Sequence, residues 1–206
     1  MTKQYWDERY DSGLGAGDGS RGPLLEFKRL IIQEAITRYK AAGSVVDLGC
    51  GDGTTCELLK AGVYTGLDIS TSAIALAKKK SGTKKRRFFS YKRDVFDPTQ
   101  YQSNTALSID VIMHLAGEER ENHLNHLFAM AEKLVIIYGP DRDAEKLPLA
   151  PHMNFEPFTP YIKEHFPEWV LNETITNKYP ATEPAAQVSF CDFFIYVRTN
   201  RNSDNS

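Results

Sequence analysis

The sequence predicts a single α/β domain built on a mostly parallel β-sheet. Two β-branched residues and a leucine in the stretch 45–55 indicate the end of a buried strand, which is followed by closely spaced glycines and a helical run over 56–60. Three acids, Asp47, Asp68 and Asp94, fall at or near the ends of successive predicted strands. The length of 206 residues fits one domain with modest additions.

The glycine-rich stretch predicts a nucleotide-binding turn. Gly49, Gly51 and Gly53 permit positive φ angles and let the backbone approach a ligand closely, and the predicted helix after them would direct its amides at the same place. A dinucleotide fingerprint would read G-x-G-x-x-G and a phosphate loop would end in Gly-Lys-Ser/Thr, whereas this loop reads G-x-G-x-G. Asp47 before it suits a ligand with a cationic end better than a pyrophosphate.

This pattern resembles the first motif of class I S-adenosylmethionine (SAM)-dependent methyltransferases. The resemblance implies a Rossmann-like three-layer sandwich, whose seven-stranded sheet is mostly parallel with an antiparallel last strand. It also implies SAM as cofactor and S-adenosylhomocysteine (SAH) as product. Gly49, Cys50 and Gly51 would hold the methionine part, with Asp47 near its ammonium group. Glycine-rich turns after strands also occur as plain structural turns.

The next two acids extend the resemblance. Asp68 ends an apolar run 21 residues after Asp47, and a carboxylate there can accept hydrogen bonds from both ribose hydroxyls. Its alternative role is a helix cap, and Ile69 beside it is also a predicted cofactor contact. Asp94 falls where the family places a residue that binds the adenine amino group, with Val95 against the ring.

The fourth predicted strand carries the candidate catalytic residues. Ser108, Asp110 and His114 stand in a Ser-x-Asp-Val-x-x-His-Leu pattern that resembles small-molecule and glycan O-methyltransferases. Ser108 is a predicted cofactor contact. Asp110 would lie near the methyl group, and His114 on the same helical face would act as general base; an equally weighted alternative is a polar residue packed under the cofactor. The Asn/Asp-Pro-Pro-aromatic signature of nucleic-acid N-methyltransferases is absent, which counts against adenine-N6 chemistry.

Residues 1–24 predict a cap or lid. Many small-molecule methyltransferases begin with a similar Tyr-Trp-x-x-x-Tyr helix that closes over SAM. On that resemblance Tyr10 and Arg21 would contact the cofactor, and Tyr5 and Trp6 the substrate. Closing the lid would exclude water; the alternative is a frayed arm whose aromatics cover the edge of the core.

The rest of the chain predicts the remaining parts of a domain that spans 25–198. A proline- and aromatic-rich insertion at 141–167 would set acceptor specificity, and it contains a second base candidate, His152. The fifth strand ends at Tyr138, a predicted substrate contact. The other predicted elements are an amphipathic helix 24–42 stopped by Gly43, a helix 118–133 with His123 and His126 towards solvent, edge strands at 169–176 and 187–198, and a disordered tail 199–206.

Composition limits the partners. The net charge of −2 predicts no general affinity for nucleic acid or membranes, and the basic run 78–87 is interpreted as a solvated helix end. Three cysteines without a CxxC pair favour a reducing cytosol, and no ligand-spaced cluster suggests a metal. No segment is apolar enough for membrane insertion, and a signal peptide is not expected.

The sequence therefore favours transfer of the SAM methyl group to an oxygen, ahead of a nitrogen, of a small polar acceptor such as a sugar or surface glycan. Two alternatives stay open, which are an NAD-dependent oxidoreductase and a SAM-binding protein without catalytic activity. The acceptor and the oligomeric state are not predicted.

Overall fold

The fold is a seven-stranded sheet with the strand order β3-β2-β1-β4-β5-β7-β6. The computed structural model describes residues 2–55, 57–143, 153–180 and 188–199. Strands β1 to β5 are parallel and β7 is antiparallel to both of its neighbours, as the sequence predicts. The strands are β1 Ser44–Leu48, β2 Val63–Asp68, β3 Arg86–Ser90, β4 Ser103–Ile109, β5 Ala131–Gly139, β6 Trp169–Ile175 and β7 Asp192–Arg198.

Helices cover both faces of the sheet and give three layers. Because successive strand residues point to opposite faces, Val45 joins the core beneath α2 and α3 while Val46 joins the core beneath α4 and α5. Both valines are fully buried, as expected for a central parallel strand. The helices are α1 Lys3–Asp11, α2 Gly22–Arg38, α3 Thr71–Ser81, α4 Glu118–Met130 and α5 Thr159–His165.

The prediction of a helix after the glycine loop is wrong. The described residues between β1 and β2, 49–55 and 57–62, form turns and irregular backbone. Three positive-φ glycines prolong the turn, and Arg29 of α2 then donates to the carbonyl oxygens of Thr54 and Thr55, at 2.7 and 3.3 Å. These two hydrogen bonds attach the loop to α2.

Two helix ends also differ from the predictions. Helix α2 ends at Arg38 rather than at 42, because Lys40 adopts a φ of 51° that leaves the helical conformation before Gly43 is reached. Helix α4 ends at Met130, and β5 begins at the next residue. No helix in the described part of the chain has the length and apolar character needed to cross a membrane.

Replacing Gly66 with alanine is expected to destabilise the sheet by about 1–3 kcal/mol, because overpacking forces neighbours to move. A Cβ at this position in β2 would lie 2.7 Å from both Cys50 Sγ and Phe88 Cδ1. Urea unfolding followed by circular dichroism measures the change. Gly19→Ala is the control, since the nearest atom to its Cβ would be 3.8 Å away, and equal stability of the two variants would contradict the packing described.

Candidate active site

A cavity of about 380 Å³ opens at the carboxyl ends of the parallel strands. Gly49 follows β1, Ile69 follows β2 and Asp110 follows β4, and all three line the cavity. In open α/β sheets ligands bind at this edge, where the strand order reverses. The volume lies within the range of about 300–1,000 Å³ typical of small-molecule sites.

The glycine loop forms the floor of the cavity. Gly51 has a φ of 56°, and a Cβ there would collide with the hydroxyl of Tyr10 from α1. Gly49 and Cys50 line the same floor. The absence of a side chain at Gly51 therefore allows α1 to approach the loop closely.

Asp68 connects this loop to the end of β2. Its Oδ2 accepts from the N–H of Gly51 and its Oδ1 from the N–H of Ser70, both at 2.8 Å. Burial raises the pKa of the Asp68 carboxyl above its ordinary value, although the two backbone N–H groups oppose that shift. A carboxylate has about four acceptor positions, so each oxygen retains a position for a ligand hydroxyl.

Asp47, unlike Asp68, does not line the cavity. It is buried within β1, where the hydroxyl of Tyr64 donates to its Oδ2 at 2.8 Å, and it lies behind the loop rather than in the cavity wall. Its predicted place beside Asp68 and Asp94 at a single ligand is therefore not what the structure shows, since only the latter two line the cavity. The physical reason is its position inside the strand, two residues before the backbone turns.

Helix α1 lies across the cavity from one side to the other. The carboxylate of Asp7 accepts from the hydroxyl of Ser70 at 2.7 Å and from the N–H of Ser72 at 3.1 Å, which fixes α1 at the N-terminus of α3. On the opposite side the ring of Trp6 contacts the ring of His114 edge to face, with centroids 5.1 Å apart. Trp6 and His114 both line the cavity, so α1 is placed as a cover.

Asp110 is paired with a buried lysine. Its φ of 59° turns the chain at the end of β4, and its carboxylate binds Nζ of Lys28 in α2. The Lys28 side chain is 0% exposed, and Nζ lies 5.5 Å from the ring centroid of Tyr138. The predicted helical face shared by Asp110 and His114 is wrong, because a 3₁₀ turn begins only at Ile112 after the positive φ. Both side chains nevertheless line the cavity.

The inner end of the cavity contains two histidines that were expected to face solvent. His123 of α4 is buried and places Nε2 2.8 Å from Oγ of Ser108, and His126 lies one turn further along. Burial, together with the nearby His126 and Arg93, lowers the pKa of His123 to about 3, so the ring is neutral near pH 7. Burial lowers the pKa of His126 as well.

Acidic groups dominate the lining. Arg93 is the one lysine or arginine among the lining residues that the structure describes, and it is paired with Glu119. A cavity walled by one sign of charge favours ligands of the opposite sign. The lining carboxyl groups are those of Asp52, Asp68, Asp94, Asp110, Glu118 and Glu119.

Comparisons with known proteins show which family and which fold the chain resembles. Residues 46–133 match the model of a family described as a methyltransferase domain. Solved structures of methyltransferases share the fold of almost the whole chain. No curated protein sequence matches the chain significantly.

Solved structures of methyltransferases match most of the chain in fold. Magnesium protoporphyrin IX methyltransferase from Synechocystis, with bound SAH, has a TM-score of 0.69 at 14% identity, over 96% of this chain and 98% of that one. The N-methyltransferase NodS from Bradyrhizobium japonicum has a TM-score of 0.65 at 12% identity, over 85% and 96%. A putative methyltransferase from Haloferax volcanii, in complex with the activator Trm112, has a TM-score of 0.65 at 14% identity, over 95% and 98%.

The structure places most predicted cofactor contacts at the cavity and some elsewhere. Val95 is 74% exposed on the surface, Arg21 is exposed just before α2, and Ser108 is buried behind His123. The predicted contacts that line the cavity are Tyr10, Gly49, Cys50, Gly51, Asp68, Ile69 and Asp94.

The predicted substrate contacts divide in the same way. Trp6 lines the cavity, while Tyr5 packs edge to face on Trp6 at 5.2 Å. Tyr138 is fully buried against Phe193 in the core rather than at the cavity wall, since its side chain points into the layer beneath α2. His152 and the surrounding segment 144–152 lie outside the described residues.

Sequence reasoning missed Lys28 and His123. Lys28 stands four residues from both Leu24 and Ile32, and His123 stands four residues before Leu127, so each occupies the apolar stripe of its helix. A polar residue on a buried stripe needs a partner, and that signal was available in the sequence.

Removing either member of the Lys28–Asp110 pair is expected to destabilise the methyltransferase unequally. Asp110→Asn leaves an ammonium that is wholly buried and should cost about 3–5 kcal/mol, whereas Lys28→Met leaves a carboxylate that water partly reaches and should cost less. Urea unfolding of both single variants and of the double variant gives the coupling free energy. Additive losses would show that the two groups do not interact.

Acidification is expected to destabilise the folded state partly through His123. The pKa of His123 is lowered from 6.5 to about 3 on folding, so below pH 6.5 the unfolded chain takes up this proton first and stability falls until about pH 3. The contribution is at most about 1.4 kcal/mol per pH unit within that window. Unfolding of the wild type and His123→Gln at pH 7 and pH 5 measures it, and the variant should lose less stability. A parallel decline of the two would contradict a neutral buried ring.

Proposed function

We propose that this chain binds SAM in the cavity and transfers its methyl group to an oxygen, or alternatively to a nitrogen, of a small polar acceptor such as a sugar. The observation that carries the proposal is the acid-lined cavity between the glycine loop and the ends of β2 and β4. The match of residues 46–133 to a methyltransferase domain supports it. Two similar structures, both of the Synechocystis enzyme, are described with bound SAH and SAM.

The residues at the cavity fit the cofactor group by group. Asp68 is proposed to accept from the ribose hydroxyls, because a carboxylate has about four acceptor positions and the N–H groups of Gly51 and Ser70 occupy one on each oxygen. Ile69 offers an apolar surface and Asp94 an acceptor for an amino group. Gly49 and Gly51 line the cavity, and their backbone is proposed to contact the methionine part.

The charge of the cavity fits as well. SAM carries two cationic groups, a sulfonium and an ammonium, against one carboxylate. Asp52 stands within the glycine loop and lines the cavity, and we propose that it lies at the methionine end, where the sequence predicted Asp47. This acidic lining also disfavours a pyrophosphate, which argues against a nicotinamide dinucleotide.

The acceptor would enter between α1 and the 3₁₀ turn Ile112–His114. Bound SAM supplies an electrophilic methyl group, so the protein has to orient the acceptor and remove its proton. His114 is the proposed base because it lines the cavity in contact with Trp6. Asp110, fixed by Lys28, is proposed to orient the acceptor, and His152 is retained as a second proposed base.

Calorimetry with SAM, SAH and NAD tests the proposal. Binding of SAM and SAH, followed by transfer of labelled methyl to a member of a panel of sugars, phenols and amines, would support it. Binding without transfer to any acceptor would favour a SAM-binding protein that does not catalyse, and binding of NAD alone would favour an oxidoreductase. An acceptor found in the panel should be methylated at least tenfold more slowly by His114→Asn if His114 is the base.

Asp94→Ala is expected to weaken SAH binding about tenfold, because a charged acceptor of a hydrogen bond contributes roughly 1.5–3 kcal/mol. Val95→Ala is the matched control at the next position, where the side chain is 74% exposed, and it should bind SAH like the wild type. Isothermal titration calorimetry on both variants gives the two dissociation constants. Equal loss in both would show that the loop, rather than the Asp94 carboxylate, determines affinity.

A further inference from the structure

The inner end of the cavity contains a polar pair that the proposed reaction does not use. Ser108 is fully buried in β4, and its Oγ lies 2.8 Å from Nε2 of His123 in α4. His123 is 6% exposed and lines the cavity. A strand and a helix from different parts of the chain thus place one imidazole at the cavity wall.

The direction of the hydrogen bond between Ser108 and His123 decides which ring nitrogen carries the proton. Either group of the Ser108–His123 contact can donate, and when the Ser108 hydroxyl is the donor its hydrogen points to Nε2, its one partner among the described residues. Nε2 is then the acceptor, and the proton of the neutral ring stands on Nδ1. No described residue accepts a hydrogen bond from Nδ1, which leaves this donor to a ligand in the cavity.

The residues near His123 place this donor at the end of the cavity where the adenine of SAM is proposed to bind. Glu119, one turn before His123 in α4, is paired with Arg93, and Arg93 is followed directly by Asp94. All four side chains line the cavity. Ile69 lines it as well, as an apolar surface for a flat ring.

We propose that His123, held by Ser108, donates a hydrogen bond from Nδ1 to a ring nitrogen of the adenine of SAM and sets the preference of the site for adenine. This inference rests on the proposed function. Adenine offers a ring-nitrogen acceptor next to its amino donor, which matches a donor at His123 and an acceptor at Asp94. Hypoxanthine reverses both groups, with a ring N–H next to a carbonyl oxygen, and would oppose both residues.

Two substitutions of His123 separate the role of Nδ1 from that of Nε2. Asparagine places its amide group near the position of Nδ1 and loses the contact with Ser108. Glutamine places its amide near Nε2, retains the Ser108 contact and offers nothing at Nδ1. His165→Gln is the matched control, because His165 is exposed on α5 and does not line the cavity.

Calorimetry of the full chain with SAH and with S-inosylhomocysteine tests the inference. The wild type should bind SAH at least thirtyfold more tightly, His123→Gln should lose about tenfold in SAH affinity and most of this preference, and His123→Asn should stay within about threefold of the wild type. His165→Gln should match the wild type. Thermal melts of each variant confirm that it is folded.

The outcomes distinguish the inference from the proposed function. A wild type that binds neither SAH nor SAM overturns the proposed function itself. A wild type that binds SAH and S-inosylhomocysteine equally overturns the inference, whatever the variants do. A folded His123→Gln that keeps both the affinity and the preference overturns it as well.

Discussion

The structure of the site depends on the buried hydrogen bond between the N–H of Gly51 and the carboxylate of Asp68. It joins the turn after β1 to the end of β2, and both Gly51 and Asp68 line the cavity. A buried carboxylate is costly unless hydrogen bonds satisfy it, and the N–H of Ser70 provides the second one. The glycine loop is thus fixed by a side chain from the neighbouring strand, although no helix follows it in the described residues.

The same network continues to the cover of the cavity. Ser70 caps α3 by accepting from the N–H of Ala73 at 3.0 Å, and its hydroxyl donates to Asp7 of α1. Asp68, Ser70 and Asp7 therefore form one connected chain of polar groups from the floor of the cavity to α1. These hydrogen bonds connect the position of α1 to the carboxylate that lines the cavity.

Local sequence predicted the features that depend on local geometry. An acid at the last residue of a strand, such as Asp68, lies at the ligand edge, and Gly51 had to be a position of close approach. Asp47 precedes the last residue of β1, and it is bonded to Tyr64 behind the glycine loop rather than at the cavity wall. His123 and Lys28 were missed because their partners are distant in sequence. Ser108 lies 15 residues from His123, and Asp110 lies 82 residues from Lys28. The apolar stripe shows that each residue is buried, but it does not show which residue it pairs with.

These two long-range pairs show why the ends of the site differ. Lys28 and Asp110 carry opposite full charges, so the pair is neutral as a whole. Coulomb attraction in a buried setting holds its geometry firmly. His123 and Ser108 are both neutral and are joined by one hydrogen bond. This pair therefore offers Nδ1 of His123 as a directional donor and carries no net charge. A neutral donor suits a neutral heteroaromatic ring, and a fixed carboxylate suits a group that must be oriented for reaction. The polar residues that sequence reasoning overlooked in two apolar stripes therefore provide a chemical contrast between the proposed adenine-binding end and the proposed reacting end of the cavity.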